Sequence, residues 1–108
     1  MNSTSIDPFG QLRQLVDSQL SVLVGRAISF VQSQSYPINV SRLSDGKPTF
    51  FHAEKEWIKT TLFSENPAAA QKIKPGDILF SIQFCIADDL NCLEVIFHLD
   101  EPILIDYH

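Results

Sequence analysis

The chain has 108 residues, of which 44% are hydrophobic and 19% are charged. This length fits one domain, residues 1–108. The apolar content excludes an intrinsically disordered protein, and two cysteines are too few for a disulfide-based scaffold. The formal charge of −5 and the pI near 4.9 argue against binding to nucleic acid, which needs clustered lysine and arginine.

The sequence predicts a cytoplasmic protein that is not anchored in a membrane. No apolar run approaches the ~18 residues that a membrane-spanning helix needs. Residues 1–7 contain neither a positive charge nor an apolar run, so we expect no secretory signal peptide.

The first predicted element is an amphipathic helix that begins at Pro8. Asp7 can cap the helix, and proline is favoured at the first helical position. Apolar residues at a spacing of three and four extend this pattern at least to Val24. Beyond Val24 three alternatives remain open: the helix ends at Gly25, it continues through Gly25 to the Ser/Gln-rich segment, or residues 26–32 form a strand.

The next predicted element is a β-hairpin. Residues 36–43 and 48–53 flank Asp45-Gly46, the dipeptide that a two-residue type I′ turn favours. This pairing sets Val40 opposite Phe51.

The middle of the chain predicts one helix and one ambiguous segment. Residues 54–63 fit a helix face and a strand face equally well. Asn66-Pro67 repeats the combination of cap and proline, which predicts a short second helix over residues 67–73, stopped by a turn at residues 74–77.

The last third of the chain predicts an antiparallel meander of three strands. Apolar residues alternate over residues 78–86, 93–99 and 103–107, and a four-residue loop at 87–90 sets Phe84 opposite Leu93. A turn at residues 100–102 sets Leu99 opposite Ile103 and Val95 opposite Tyr107. All three apolar sets then share one face, which the N-terminal helix can cover. We therefore predict an α+β fold in which this helix packs on a largely antiparallel sheet of five to six strands.

The opposite face of the meander is the predicted interaction surface, because apolar residues interrupt its polar pattern. Ile96 lies at its centre, beside Ser81 on one strand and Asp106 on the other. An apolar centre with a polar rim is typical of a recognition surface, and a two-fold homodimer is the commonest way to cover one. We expect the chain to bind a second copy of itself, or another protein, through four residues of this face: Leu79, Ile96, His98 and Leu104.

The same face contains both cysteines. The register sets Cys85 directly opposite Cys92, which makes them a candidate redox pair; the alternative is two reduced thiols that behave as small apolar side chains. Glu94 and His108 would converge on this pair, and zinc accepts such ligands. Because no short Cys or His spacing supports a metal centre, we expect neither metal nor cofactor.

The chain contains no Gly-x-Ser-x-Gly elbow, no Gly-rich phosphate loop and no His-Glu-x-x-His pair, and we assign no catalytic residue. The favoured interpretation is a small non-catalytic protein that acts by protein–protein interaction. The alternative is a pocket protein, or a weak acid–base enzyme, that uses a histidine in a cavity between helix and sheet. An empty cavity there would favour the alternative, whereas a filled core would favour the interaction protein.

Overall fold

The computed structural model describes residues 8–87 and 90–108. The predicted cap Asp7, and Asp88 and Asp89 of the predicted loop at residues 87–90, lie outside the described residues.

The N-terminal helix α1 spans Pro8–Ser33, so the alternative that passes through Gly25 is correct. Its backbone leaves helical geometry at Gln19, where φ is −123° and ψ is 23°, and the helix is kinked there. The helix ends in a Schellman motif. Ser35 adopts a φ of 54°, its N–H donates to the Gln32 carbonyl, and the next N–H donates to the Val31 carbonyl.

The predicted hairpin is wrong, because Asp45 and Gly46 lie inside one strand. A short 3-10 turn (Val40–Arg42) leads into β1 (Leu43–His52), which pairs along its length with a strand formed much later in the chain. The dipeptide forms a bulge in this pairing. Gly46 is required for close packing: a Cβ there would lie 3.0 Å from a ring carbon of Phe84. Val40 therefore does not face Phe51.

In the ambiguous segment, residues 55–63 are helical, and Glu54 before them is extended. The chain runs through α2 (Lys55–Trp57), a π-helical turn (Ile58–Leu62) and α3 (Phe63–Glu65) into α4 (Pro67–Lys72). The predicted short helix is confirmed: Asn66 caps α4 through its side-chain oxygen, which accepts a hydrogen bond from Ala69 N at 3.2 Å. We call residues 55–72 the cover segment.

The α+β architecture is confirmed, with α1 packed on an antiparallel sheet in the order β1-β2-β3-β4. The remaining strands are β2 (Ile78–Ile86), β3 (Cys92–His98) and β4 (Glu101–Tyr107). In the described part of the chain the sheet contains four strands, fewer than the five to six expected, because residues 36–43 do not form a separate strand.

The predicted register is confirmed between β2 and β3 but is wrong between β3 and β4. Phe84 faces Leu93 and Cys85 faces Cys92 as expected. Val95, however, faces Ile105 instead of Tyr107, a shift of two residues. The chain turns earlier than predicted, because Leu99 adopts a φ of 58° and leaves the strand.

A bulge beside Ile96 and Phe97 then changes the face that part of β4 presents. Ile105 packs on the α1 side of the sheet, whereas Ile103 packs with the cover segment on the other side. The sheet is therefore covered on both faces. The inner core lies between α1 and the sheet, and the outer core lies between the cover segment and the sheet.

Candidate functional site

Three residues of the predicted interaction surface are buried within the chain itself. Leu79 is fully buried, Ile96 is 5% exposed and Leu104 is 6% exposed, and all three belong to the outer core beneath the cover segment. The expectation that they form an exposed surface is therefore wrong. An apolar sheet face needs to be covered, and residues 55–72 supply an apolar helix face in the same chain.

His98, the fourth predicted surface residue, lies elsewhere. It is half-buried and lines an open cleft of about 440 Å³ where the first half of α1 meets the end of the sheet. Leu12 and Leu15 of α1 form one wall of this cleft, with Ile78 and Leu99 on the sheet side. His98 is thus separate from the other three residues.

The cover segment leaves the polar half of the outer sheet face open. The pairing of the strands arranges this half in two rows that cross all four strands. We call these rows the polar half-face. One row contains Lys47, Gln83, Glu94 and Asp106, and the other contains Ser44, Cys85, Cys92 and His108.

Two carboxylates and an imidazole meet on the polar half-face. Glu94 lies directly opposite Asp106, and His108 Nε2 lies 3.4 Å from Glu94 Oε1. One ligand atom from each of these three residues lies within 4.8 Å of the other two. The buried Ser81 hydroxyl donates a hydrogen bond to Glu94 Oε2 and orients that carboxylate.

Sequence reasoning identified Glu94 and His108 but missed Asp106 as the third member of this cluster. The predicted register set His108 opposite Glu94, whereas His108 pairs with Cys92 through two reciprocal backbone hydrogen bonds of 2.6 and 3.0 Å. The shift follows from the early turn at Leu99. A leucine in the left-handed region is uncommon, so no turn residue marked this position.

The two cysteines lie directly opposite each other as predicted, and both are thiols. Cys85 is exposed and Cys92 is half-buried. Their role as a redox pair remains a prediction.

The outer edge of β4 lies between two clefts. Along an antiparallel pair, residues that exchange two backbone hydrogen bonds with the neighbouring strand alternate with residues whose N–H and C=O point outward. His108 exchanges two such bonds with Cys92, so the N–H and C=O of Ile105, three residues earlier, point away from β3. The Ile103 carbonyl points the same way and accepts a hydrogen bond of 3.1 Å from the Asn66 side chain. Within residues 8–87 and 90–108, no strand pairs with this edge.

The two clefts have volumes of about 210 and 340 Å³. Phe30 and Tyr36 line the first, Trp57 and Thr61 line the second, and Glu65 borders both. Burial, followed by the nearby Tyr107 and Asp106, raises the pKa of the Tyr36 hydroxyl beside this edge.

The sequence matches no known protein-family model, and it is detectably similar neither to a curated protein nor to a solved structure. Among the described residues, no helix has the length and apolar character needed to cross a membrane.

Proposed function

We propose that the protein acts by binding another protein chain, and that the partner is a second copy that pairs with the outer edge of β4. The observation that carries this proposal is the position of that edge, which lies between two clefts and presents the outward backbone groups of Ile105. The homodimer expected from the sequence is thus retained, but its surface is the sheet edge and not the outer face.

The two edges of the sheet differ in how they are protected. Bulges, lysine and proline commonly keep an edge strand from pairing with the strand of another chain. The β1 edge has all three: the bulge between Ser44 and Lys47, the Lys47 side chain, and Pro48, which lacks an N–H. On β4 the proline, Pro102, and the bulge at Ile103 both lie at the start of the strand, and residues 104–107 contain neither of these features and no lysine. The contrast favours β4 as the edge that pairs.

A two-fold antiparallel pairing centred on Ile105 suits this strand. The N–H and C=O of Ile105 would bond reciprocally with those of Ile105 of the partner subunit. Leu104 would lie opposite Asp106 of the partner subunit, so no like charges would face each other across the interface. Side chains of an added strand alternate between two faces, and the two clefts flanking the edge offer them space on both.

We assign this interaction to the cytoplasm. A chain with two cysteines is not a disulfide-based scaffold, the kind of small domain that is typical of oxidising compartments.

The mass of the protein in solution tests the proposal, measured by light scattering or sedimentation at several concentrations. Ile105→Pro removes the outward N–H, and Ile105→Ala is the matched control because it loses the same side chain but keeps the N–H. We expect the wild type and Ile105→Ala to reach twice the monomer mass of 12.2 kDa, while Ile105→Pro stays monomeric with an unchanged circular dichroism spectrum.

Two results would contradict the dimer: a wild-type chain that stays monomeric at high micromolar concentration, or an Ile105→Pro variant that dimerises as Ile105→Ala does. Hydrogen exchange of the wild-type Ile105 amide does not depend on the folding of a variant. Protection that rises with protein concentration supports the pairing, and protection independent of concentration contradicts it.

A second candidate function is small-ligand binding in the cleft that contains His98. The cleft of about 440 Å³ favours it, because Leu12 and Leu15 form an apolar wall beside the half-buried imidazole of His98. Chemical-shift changes at Leu12, Leu15 and His98 in a small-molecule screen would support this function, and their absence across the screen would count against it.

A further inference from the structure

We propose that Glu94, Asp106 and His108 bind a divalent transition-metal ion, with Zn²⁺ as the ion that best fits the three donors. Their ligand atoms lie within 4.8 Å of one another, with Glu94 on β3, Asp106 on β4 and His108 directly after β4. The backbone pairing, and not the metal, sets which of these side chains lie together.

The donor set selects the ion. An imidazole nitrogen suits zinc and its transition-metal neighbours, whereas Mg²⁺ and Ca²⁺ prefer sites made of oxygen alone. Two carboxylates and one imidazole supply three protein ligands. A tetrahedral Zn²⁺ would then keep one open position for water or an added ligand.

The electrostatics of the site favour a cation. Like charges directly opposite each other on adjacent strands are destabilising, and Glu94 and Asp106 are such a pair. Among the described residues, neither carboxylate forms an ion pair with lysine or arginine. This part of the chain is also strongly acidic, since residues 61–108 carry a net charge of −6.

Ser81 supplies the support that metal ligands need. Its side chain is fully buried and donates to one oxygen of Glu94, while the other oxygen lies 3.4 Å from His108. Hydrogen bonds from such outer partners fix the orientation of ligating groups, and their loss weakens metal affinity by about 10- to 100-fold.

Titration of the chelator-treated protein with ZnCl₂ in a calorimeter tests the site. We expect one Zn²⁺ per chain, bound at least about 10-fold more weakly by His108→Gln and by Ser81→Ala. His52→Gln is the matched control, since His52 is exposed on β1 and faces the Gly76 carbonyl at 3.4 Å. It should bind Zn²⁺ as the wild type does.

The nearby thiols need their own control, because Cys92 pairs with His108 and zinc accepts thiolate. A variant with serine at Cys85 and Cys92 should keep its Zn²⁺ affinity within a few-fold. Three results would overturn the proposal: no saturable binding at millimolar Zn²⁺, equal affinities for His108→Gln and His52→Gln, or binding that the serine variant loses and His108→Gln retains.

Discussion

Truncation of Leu62 measures how firmly the cover segment packs on the sheet. Leu62 lies in the π-helical turn, and its side chain is fully buried in the outer core. Leu62→Ala removes three carbon atoms, each worth about 0.8 kcal/mol of transfer free energy, and leaves a cavity that adds to the cost. We expect the free energy of unfolding to fall by about 3 kcal/mol.

The adjacent residue supplies the matched control. Phe63 follows Leu62 in the same helical segment, but its side chain is 53% exposed. Phe63→Ala removes a larger group from the outward side of the helix, and because about half of that side chain is exposed we expect the free energy of unfolding to fall by no more than about 1 kcal/mol. Both variants place alanine in the same helical segment, so the difference between their free energies of unfolding reports side-chain burial and not helix propensity.

Urea unfolding followed by circular dichroism gives both values. Thermal unfolding should agree, with a midpoint for Leu62→Ala lower by about 12 °C or more, since each kcal/mol shifts the midpoint of a domain this size by roughly 4–8 °C. Equal stabilities for Leu62→Ala and Phe63→Ala would refute the packing of the cover segment. The apolar half of the outer face would then be open to a partner, as the sequence first indicated.

Three further predictions concern two glycines, one ion pair and the opposed cysteines. Gly25→Ala should stabilise the protein by about 0.5–1 kcal/mol, because Gly25 is helical and has open space around it. Gly76→Ala should destabilise the protein by about 1–2 kcal/mol, because the φ of Gly76 is +93°. Urea unfolding measures both changes. The hydrogen bond from Arg26 holds the pKa of Asp100 below its ordinary value of 3.8. The contact therefore stabilises the folded protein at a pH above 3.8, and this stabilisation is lost as the pH falls through the lowered pKa. Arg26→Met should therefore lose less stability on acidification below about pH 4, as measured by unfolding across that range. Mild oxidation should link the two opposed cysteines within one chain, and two thiols that remain countable after oxidation would contradict their role as a redox pair.

Local sequence determined the elements whose signals lie within a few residues. Alternation over residues 78–86 and 93–98 specified β2, β3 and their pairing down to Cys85 opposite Cys92, because a slip of one residue would have turned every apolar side chain to the other face. Asn66 and Pro67 marked the start of α4: Asn66 caps the helix, and Pro67 suits the first helical position because it has no N–H that would need a partner.

The tertiary structure decided where local signals competed or were silent. Asp45-Gly46 is a strong turn signal, yet pairing of the whole of β1 with β2 outweighed it, and Gly46 packs against Phe84. Residues 54–63 fitted helix and strand alike, and residues 55–63 became helical because the apolar half of the outer sheet face required a cover.

The candidate metal site shows the same division. The sequence predicted that Glu94 and His108 share one face of the sheet, since their positions follow from alternation. Only the folded chain brought Asp106 opposite Glu94, through an early turn at Leu99 that no turn residue marked. The register of β4 depends on how Ile103 and Ile105 divide between the two cores, and this long-range packing is not encoded in any short segment of the chain.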